Sequence, residues 1–453
     1  MTRRIASPPR AKYPAAADSD AAAVAKIASN SRYVRTARYA TIIALVLTAV
    51  ALDPLADASF DAPKWLAYKW GAIVATIALL LQNQSPQLRW TRTASWSLAM
   101  FSGAFTCALA ATTFSPHGSL AWHSLAGLLV CALFLVIGAS RATEGPDGKQ
   151  ILTVAIVVGV LTATLSLVQA AGLSLPLDVQ RVGGRFATGA LLGNEGFVAL
   201  LCALMGACGV ALILSRSSAS RTKLIGLAIT LLAMVTIAVN RQATSAIALA
   251  VATITIAAIR FGQRWVIAAM AAALALALTC AAAPTLRNYT YAALPGVTVE
   301  SVQRLTTYRL GAWVAATEMI RTDPWLGQGP GSFARESTAR RLDAEVRVGA
   351  RFVQPTGATF VYAHMDLLQF AAECGVPAAI LVFAAFAAIF RRMVVSANGA
   401  DETERLLLLG VAAAGAVGSL AWFPFQIPVT AMALLLACGR LWRLCADRAT
   451  EAP

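Results

Sequence analysis

The sequence predicts an all-α fold, a polytopic bundle of about 12 transmembrane helices with a large periplasmic helical loop between spans 9 and 10. Hydrophobic residues make up 58% of the 453 residues and charged residues only 13%, and the mean hydropathy is +0.67. Long apolar runs approach or exceed the roughly 20 residues that cross a bilayer as a helix. The formal charge of +15 is divided among short clusters between those runs. A membrane protein is therefore favoured over a soluble or nucleic-acid-binding one.

The apolar runs between charged breaks predict the spans in order along the chain. They lie near residues 38–55, 64–82, 94–114, 118–140, 150–174, 188–214, 222–239, 243–259, 264–283, 363–390, 405–423 and 425–443. The last two are separated at Phe423-Pro424. Helices are expected because each one satisfies its own backbone hydrogen bonds in lipid.

The basic residues predict the orientation, because Lys and Arg in short loops stay on the cytoplasmic side. Arg38 precedes the first span, Arg440 and Arg443 follow the last one, and alternate loops between them carry further basic residues. We therefore expect both termini in the cytoplasm. The expected segments are a disordered tail at 1–37, spans 1–9 at 38–283, the periplasmic loop at 284–362, spans 10–12 at 363–443 and a cytoplasmic tail at 444–453.

The large loop carries its own helical signals. Residues 305–321 have helical spacing and a stop at Asp323-Pro324. A glycine-rich segment at 327–331 follows and is interpreted as a turn, since it lacks the Lys-Ser/Thr of a phosphate-binding loop. Residues 332–345 then predict a second, charged amphipathic helix.

The predicted outer side carries many arginines and no accompanying lysine. They are Arg181, Arg185, Arg241, Arg287, Arg304, Arg309, Arg321, Arg335, Arg340, Arg341, Arg347 and Arg351. A guanidinium binds phosphate oxygens bidentately and costs less to desolvate than an ammonium, so the set suits a pyrophosphate. Solvated surface charge is the ordinary alternative for any one of them. Arg185, Arg241 and Arg309 stand out because they lie at span ends or in a short helix, where an uncompensated charge is costly.

His364 is the candidate general base. Of the three histidines, it alone lies at the junction between the large loop and a span, while His117 and His123 flank a short loop. A neutral imidazole can take a proton from an attacking hydroxyl. Asp366 and Glu373 lie nearby in sequence. A structural histidine at the interface is the alternative.

Several other chemistries have no motif in the chain. HExxH, GxSxG and Walker patterns are absent, and the cysteines are scattered singly without metal-type spacing. No cofactor and no metal site is therefore predicted, and a metal-independent transfer is the simplest option.

Four strings resemble motifs of the O-antigen ligase and Wzy-type polymerase family. The first is Arg185-Phe-Ala-Thr-Gly189 with Gly193-Asn194-Glu195-Gly196, and the second is Asn240-Arg241. The third is Arg309-Leu-Gly-Ala-Trp313 with the run from Pro324 to Phe333, and the fourth is His364-Met-Asp-Leu-Leu-Gln369 with Glu373-Cys-Gly375. The chain departs from the usual pattern at Glu195-Gly196, Asn240 and Met365, where the family has Pro-Asn, Ser and Asn.

The resemblance implies an inverting glycosyl transfer from an undecaprenyl-pyrophosphate-linked glycan to an acceptor hydroxyl, of lipid A core or a similar glycolipid or glycan. By position, His364 would be the base, with Arg309 also catalytic. Arg185, Arg241 and Arg309 would hold the pyrophosphate, supported by Asn194, Trp313, Asp366 and Glu373. The resemblance also implies that the spans lie in the cytoplasmic (inner) membrane of a bacterium, where membrane lipids would surround them, and no nucleic acid is expected as a partner.

Other functions remain open at this stage. A polymerase of the same architecture would extend the glycan on its own carrier, and an oligosaccharyltransferase would act on protein. From a different class, a transporter or lipid-linked sugar flippase would also have about twelve spans, although such proteins usually show paired repeats and broken helices.

Overall fold

A computed structural model describes residues 16–53, 59–82, 91–173, 188–262, 264, 309–349, 351–352, 360–395 and 402–447, with residues 16–31 described as backbone only. Over these residues the chain folds into helices and contains no β-strand, which confirms the all-α prediction. The predicted ninth span at 264–283, Arg185 and residues 284–308 of the large loop lie outside the described residues apart from residue 264.

Fourteen α-helices are described. They are α1 Ala16–Val50, α2 Ala62–Leu80, α3 Arg92–Thr113, α4 Gly118–Gly138, α5 Gly145–Ala170, α6 Glu195–Leu214, α7 Ser220–Val239, α8 Ala243–Phe261, α9 Leu310–Thr322, α10 Phe333–Val348, α11 Asp366–Cys374, α12 Val376–Val395, α13 Glu402–Ala421 and α14 Pro428–Asp447. Short 3-10 turns lie at Arg141–Thr143, Ala190–Leu192 and Pro424–Gln426.

Ten of the described helices are long and apolar enough to cross a membrane. They are α1 from Arg32 onward, α3, α4, α5, α6, α7, α8, α12, α13 and α14. The predicted second span forms α2, which is not among the ten, because Lys64, Lys69 and several aromatic residues lower its hydropathy. Large apolar side chains such as Leu161 and Leu224 are 63% and 67% exposed, as expected for helices whose outer faces contact lipid.

The structure corrects three predicted boundaries. The first helix begins at Ala16, inside the segment predicted to be a disordered tail, because that stretch is rich in alanine, the strongest helix former. The sixth span begins at Glu195 instead of 188, since the Asn194 side chain caps it by accepting a hydrogen bond from the Gly196 N–H at 2.7 Å. The predicted span at 363–390 is two helices, because Gly375 between them has a φ of +88°.

Helix α6 lies at the centre of the bundle and is buried on nearly all sides. It packs against α5, α7, α8 and α13, while α14 packs against α4 and α13. The ends of these helices define two ends of the bundle. At one end α6 and α14 begin and α7 and α13 finish, and we call this the site end.

Basic residues collect at the opposite end, as the predicted topology requires. Arg38 on α1 donates to the Ala142 carbonyl at 3.0 Å, and Arg440 on α14 pairs with Glu404 at 2.7 Å. Arg260, at the end of α8, donates to the Leu214 carbonyl at the end of α6. Arg38, Arg260 and Arg440, three of the basic residues that predicted one common side, therefore lie at one common end of the described bundle.

Helices α9, α10 and α11 form a small domain at the site end. They share a separate core that includes Ala312, Met319, Phe333 and Ala372. Glu318 on α9, only 3% exposed at its side chain, pairs with Arg321 at 2.6 Å and with Arg347 of α10 at 2.7 Å. The predicted helix at 305–321 is α9, whose described part starts at Leu310, and its predicted stop at Asp323 is confirmed. The predicted second helix is α10.

Candidate functional site

His364 lies in a strained turn just before α11. Its φ is +57°, a left-handed conformation that is uncommon for a residue with a side chain. The Gln369 Oε1 atom accepts a hydrogen bond from the Ala363 N–H at 3.0 Å and so holds this turn against α11. The surrounding structure thereby fixes a backbone shape that costs roughly 1–3 kcal/mol on its own.

The imidazole of His364 is oriented by the backbone beside it. Its Nδ1 lies 3.0 Å from the Tyr362 carbonyl oxygen. A carbonyl can only accept, so Nδ1 carries the hydrogen, and Nε2 is then the basic nitrogen of the neutral ring. This is the tautomer that a general base facing a hydroxyl group requires.

An aromatic turn between α13 and α14 packs against that imidazole. Trp422 and Phe423 are stacked at 4.8 Å between ring centroids, and each is 5% exposed. The His364 ring meets both edge to face, at 5.5 Å from Trp422 and 4.8 Å from Phe423. Tyr362 stacks on Phe423 at 5.0 Å.

Arg309 reaches the same aromatic turn from the small domain. It precedes the first residue of α9, and its Nη1 donates to the Ala421 carbonyl at 2.8 Å. Its guanidinium carbon lies 4.2 Å from the Trp422 ring centroid, in cation–π geometry. Arg309 and His364, which are far apart in sequence, therefore contact the same indole.

Two predicted support residues flank this arrangement. Asn194 caps α6, and a Cβ atom placed on Gly196 would lie 2.6 Å from Trp422 Cζ2, so the start of α6 abuts the indole. The first N–H groups of a helix carry partial positive charge, which favours a bound anion nearby. Trp313 lies one turn after Arg309 on α9, and its buried Nε1 has no hydrogen-bond partner among the described residues.

Arg241 lies at the site end, in the turn between α7 and α8. It is exposed and has a φ of +52°. Its neighbour Asn240 is buried, accepts from the Thr188 hydroxyl at 2.6 Å and donates to Ser166 Oγ at 3.1 Å. These bonds tie the Arg241 turn to the segment that leads into Asn194. Arg241 is therefore on the same face of the bundle as His364 and Arg309.

Asp366 anchors the aromatic turn to α11. Its Oδ2 accepts a hydrogen bond from the Phe425 N–H at 3.2 Å. The residue is only partly buried, but its Oδ1 is shielded from solvent and has no partner within the described ranges. Burial raises the pKa of Asp366 to about 8, and the bonds from Phe425 and Ser419 lower it only in part.

Glu373 holds the glycine-rich turn and not the imidazole. Its carboxylate accepts from the Gly331 N–H at 2.9 Å, the Phe333 N–H at 3.3 Å and the Gln369 amide at 3.1 Å. Burial raises the pKa of Glu373 to about 7. Its backbone carbonyl also accepts from the Gly329 N–H at 2.9 Å. The interpretation of residues 327–331 as a turn is confirmed.

Several arginines of the predicted phosphate set have carboxylate partners. Arg321 and Arg347 pair with Glu318, Arg340 with Glu336 and Arg341 with Glu345. For these four arginines, a role as ordinary surface charge fits better than phosphate binding does. His117 also pairs with Glu336, at 2.9 Å. Among the described residues no group of three or more His, Cys, Asp or Glu side chains could hold a metal ion.

The sequence reasoning missed Trp422 and Phe423. The available signal was an aromatic pair beside a proline at a break between two spans, but nothing local connected it to Arg309 or His364. The structure brings together His364, Arg309 and the Asn194 end of α6 on Trp422, with Asp366 behind the same turn. Glu373 is linked to the His364 turn through Gln369, whose amide bonds to both Glu373 and the Ala363 N–H.

Residues 228–383 match the family model described as O-antigen ligase. That range includes Arg241, Arg309 and His364, whereas Asn194 and Trp422 lie outside it. No curated protein matches the chain.

Proposed function

We propose that this chain, whose residues 228–383 match the O-antigen ligase family model, moves a glycan from undecaprenyl pyrophosphate to an acceptor hydroxyl. In this proposal the protein is a multi-pass membrane glycosyltransferase of the O-antigen ligase or polymerase type, which the family match and the ten helices long enough to cross a membrane support. The acceptor we propose is lipid A core or a comparable surface glycan. The reaction takes place at the site end, which faces away from the cytoplasm in the proposed topology.

One observation carries the proposal. The imidazole of His364 and the guanidinium of Arg309 both contact the side chain of Trp422. Nδ1 of the imidazole donates to a backbone carbonyl, and the guanidinium is held by the indole and by the Ala421 carbonyl. The first group suits proton removal and the second suits a departing anion.

The reaction is a single displacement at the anomeric carbon. The acceptor oxygen attacks from the face opposite the pyrophosphate, and its proton passes to Nε2 of His364. The bond between the anomeric carbon and the pyrophosphate oxygen breaks, and both electrons leave with the pyrophosphate, so the configuration inverts.

Arg309, Arg241 and Arg185 neutralise the pyrophosphate as it departs. A guanidinium has five N–H donors, so the bond from Arg309 to Ala421 does not preclude donation to phosphate oxygens. Pyrophosphate is already a good leaving group, so positioning, charge neutralisation and one base suffice.

The test uses purified protein in lipid vesicles with an undecaprenyl-pyrophosphate-linked glycan and an acceptor. Release of undecaprenyl pyrophosphate and glycosylation of the acceptor are measured together. We expect His364→Ala to lower the release rate by about 100-fold or more. The matched control is His123→Ala, which removes an exposed imidazole on α4.

The outcomes are distinct. If His364→Ala and His123→Ala release carrier at the same rate, the proposed base is wrong. Glycan that grows on its own carrier instead of appearing on the core acceptor indicates a polymerase. Glycan that crosses the vesicle membrane without carrier release, and still does so in His364→Ala, indicates a flippase.

A further inference from the structure

One indole stands between the two groups that the proposed reaction uses. Trp422 is 5% exposed, carries the Arg309 guanidinium at 4.2 Å and meets the His364 ring edge to face at 5.5 Å. An arginine side chain has four rotatable bonds, so holding it in one rotamer costs conformational entropy. The aromatic face and the Ala421 carbonyl supply that restraint.

The indole itself has little room to move. Gly196 at the start of α6 faces its six-membered ring, and a Cβ there would lie 2.6 Å from Cζ2. Phe423 stacks on it at 4.8 Å. The indole position is therefore set by α6 on one side and by its own turn on another.

A hydrogen bond from the indole N–H does not explain the position of Trp422. Trp422 Nε1 is buried and has no hydrogen-bond partner among the residues that the structure describes. The contacts that bind Trp422 to Arg309 and His364 use the aromatic ring alone. A phenyl ring should therefore replace it better than an aliphatic side chain of similar bulk.

We propose that Trp422 is a positioning residue that holds Arg309 and His364 at their working separation. This inference rests on the proposed function, and it adds a residue from outside the matched range 228–383. Trp422 acts through the other two side chains and does not itself touch the reacting atoms.

The first test compares Trp422→Leu with Trp422→Phe in the vesicle assay. We expect Trp422→Leu to lower the turnover rate by about 10- to 100-fold, since small misplacement of reacting groups has effects of that size. Trp422→Phe should recover the rate to within about 3-fold of wild type, because it keeps an aromatic face. The matched control is Trp96→Leu on α3, where the indole is 60% exposed.

The second test separates positioning from simple loss of stability. In an Arg309→Ala background, Trp422→Leu should lower the rate by a smaller factor than it does in the wild-type chain, because one of the two groups that it positions is already gone. Full additivity of the two losses would overturn the inference.

A variant on the opposite side of the indole keeps the inference testable if Trp422→Leu does not fold. Gly196→Ala suits a helix better than glycine but pushes on Cζ2. We expect it to lower turnover by about 10-fold, and Trp422→Phe in the same chain to restore it, because phenylalanine has no Cζ2. Failure of that rescue contradicts the inference.

The two proposals fail in different ways. If wild type releases carrier, His364→Ala does not, and Trp422→Leu equals Trp96→Leu, only the positioning role is wrong. If wild type releases no carrier, both the function and the positioning role fall.

Discussion

Two carboxyl groups near His364 keep their protons to unusually high pH. Burial raises the pKa of Asp366 to about 8 and that of Glu373 to about 7. Each group accepts backbone N–H bonds that hold a turn, so its task is structural and does not need a charge. His364 therefore remains the base that we propose for the acceptor proton.

The raised pKa of Asp366 predicts how stability depends on pH. Asp366 keeps its proton in the folded protein up to about pH 8, whereas the unfolded chain loses it near pH 4. The contribution of this proton to the free energy of unfolding is therefore full below pH 4 and is lost as the pH rises through about 8. We expect the melting temperature to fall between pH 5 and pH 8. Asp366→Asn, which is neutral throughout, should flatten the decline by a few degrees.

Thermal unfolding in detergent across that pH range checks this. The control is Asp343→Asn on α10, whose side chain is 60% exposed and which should keep the wild-type slope. An Asp366→Asn protein with the wild-type slope would contradict the assignment.

Arg309 requires the planar fork of its guanidinium. It donates to Ala421 and also lies over Trp422, and a lysine ammonium cannot satisfy both geometries. We expect Arg309→Lys to lower the carrier-release rate by about 10-fold or more. Arg335→Lys, at an exposed position on α10, should change it little. Equal rates in the two variants would show that only the charge at Arg309 matters.

At the scale of the helices, the Gly375 break decides how the site is assembled. A continuous helix over 363–390 would carry His364 and Glu373 away from the glycine-rich turn. The break lets Val376 N–H donate to the Pro324 carbonyl at 2.9 Å and lets Glu373 bind Gly331 and Phe333. Residues 327–331 and residues 369–375, which are separate motifs in the sequence, therefore bind each other in the structure.

Two glycines with similar backbone angles should respond differently to alanine. Gly375 has a φ of +88°, and a Cβ there would collide with the Trp325 carbonyl. Gly349, with a φ of +70°, has nothing within 4 Å of its Cβ position. We expect Gly375→Ala to cost about 3 kcal/mol or more and to abolish activity, and Gly349→Ala to cost about 1 kcal/mol.

Thermal unfolding and carrier release measured on both variants check this pair. Equal loss of stability in Gly375→Ala and Gly349→Ala would mean that backbone strain alone governs, and that the close approach to Trp325 does not matter.

Local sequence signals predicted the spanning helices well. The run 118–140 became α4, Gly118–Gly138, and the break at Phe423-Pro424 separates α13 from α14. The same signals failed at Gly375, because a single glycine within an apolar run does not reveal that a carbonyl from residue 325 lies against it. They also could not connect Trp422 to Arg309, since a contact between residues so far apart in the chain leaves no periodic trace in either segment.

At the scale of the whole molecule, the two ends of the bundle differ in charge chemistry. The end opposite the site collects Arg38, Arg260, Arg440 and Arg443 around carboxylates. From the positive-inside tendency we propose that this end faces the cytoplasm.

Cysteine labelling in intact cells tests the orientation. Val346 on α10 is 85% exposed, so Val346→Cys should react with a membrane-impermeant maleimide added outside. Ser218→Cys, in the loop between α6 and α7, should react only after the cells are opened. The parent chain without an added cysteine gives the background. The reverse pattern would invert the topology and place the candidate site in the cytoplasm.

The turn between α13 and α14 also has a consequence for biosynthesis. Arg309 and His364 emerge from the ribosome well before Ala421 and Trp422, on which both depend. A nascent chain interrupted after α12 can insert its earlier helices and still lack the surface that aligns the two groups. If the proposed function holds, a chain terminated there would be inserted in the membrane but inactive, and we expect it not to consume the donor.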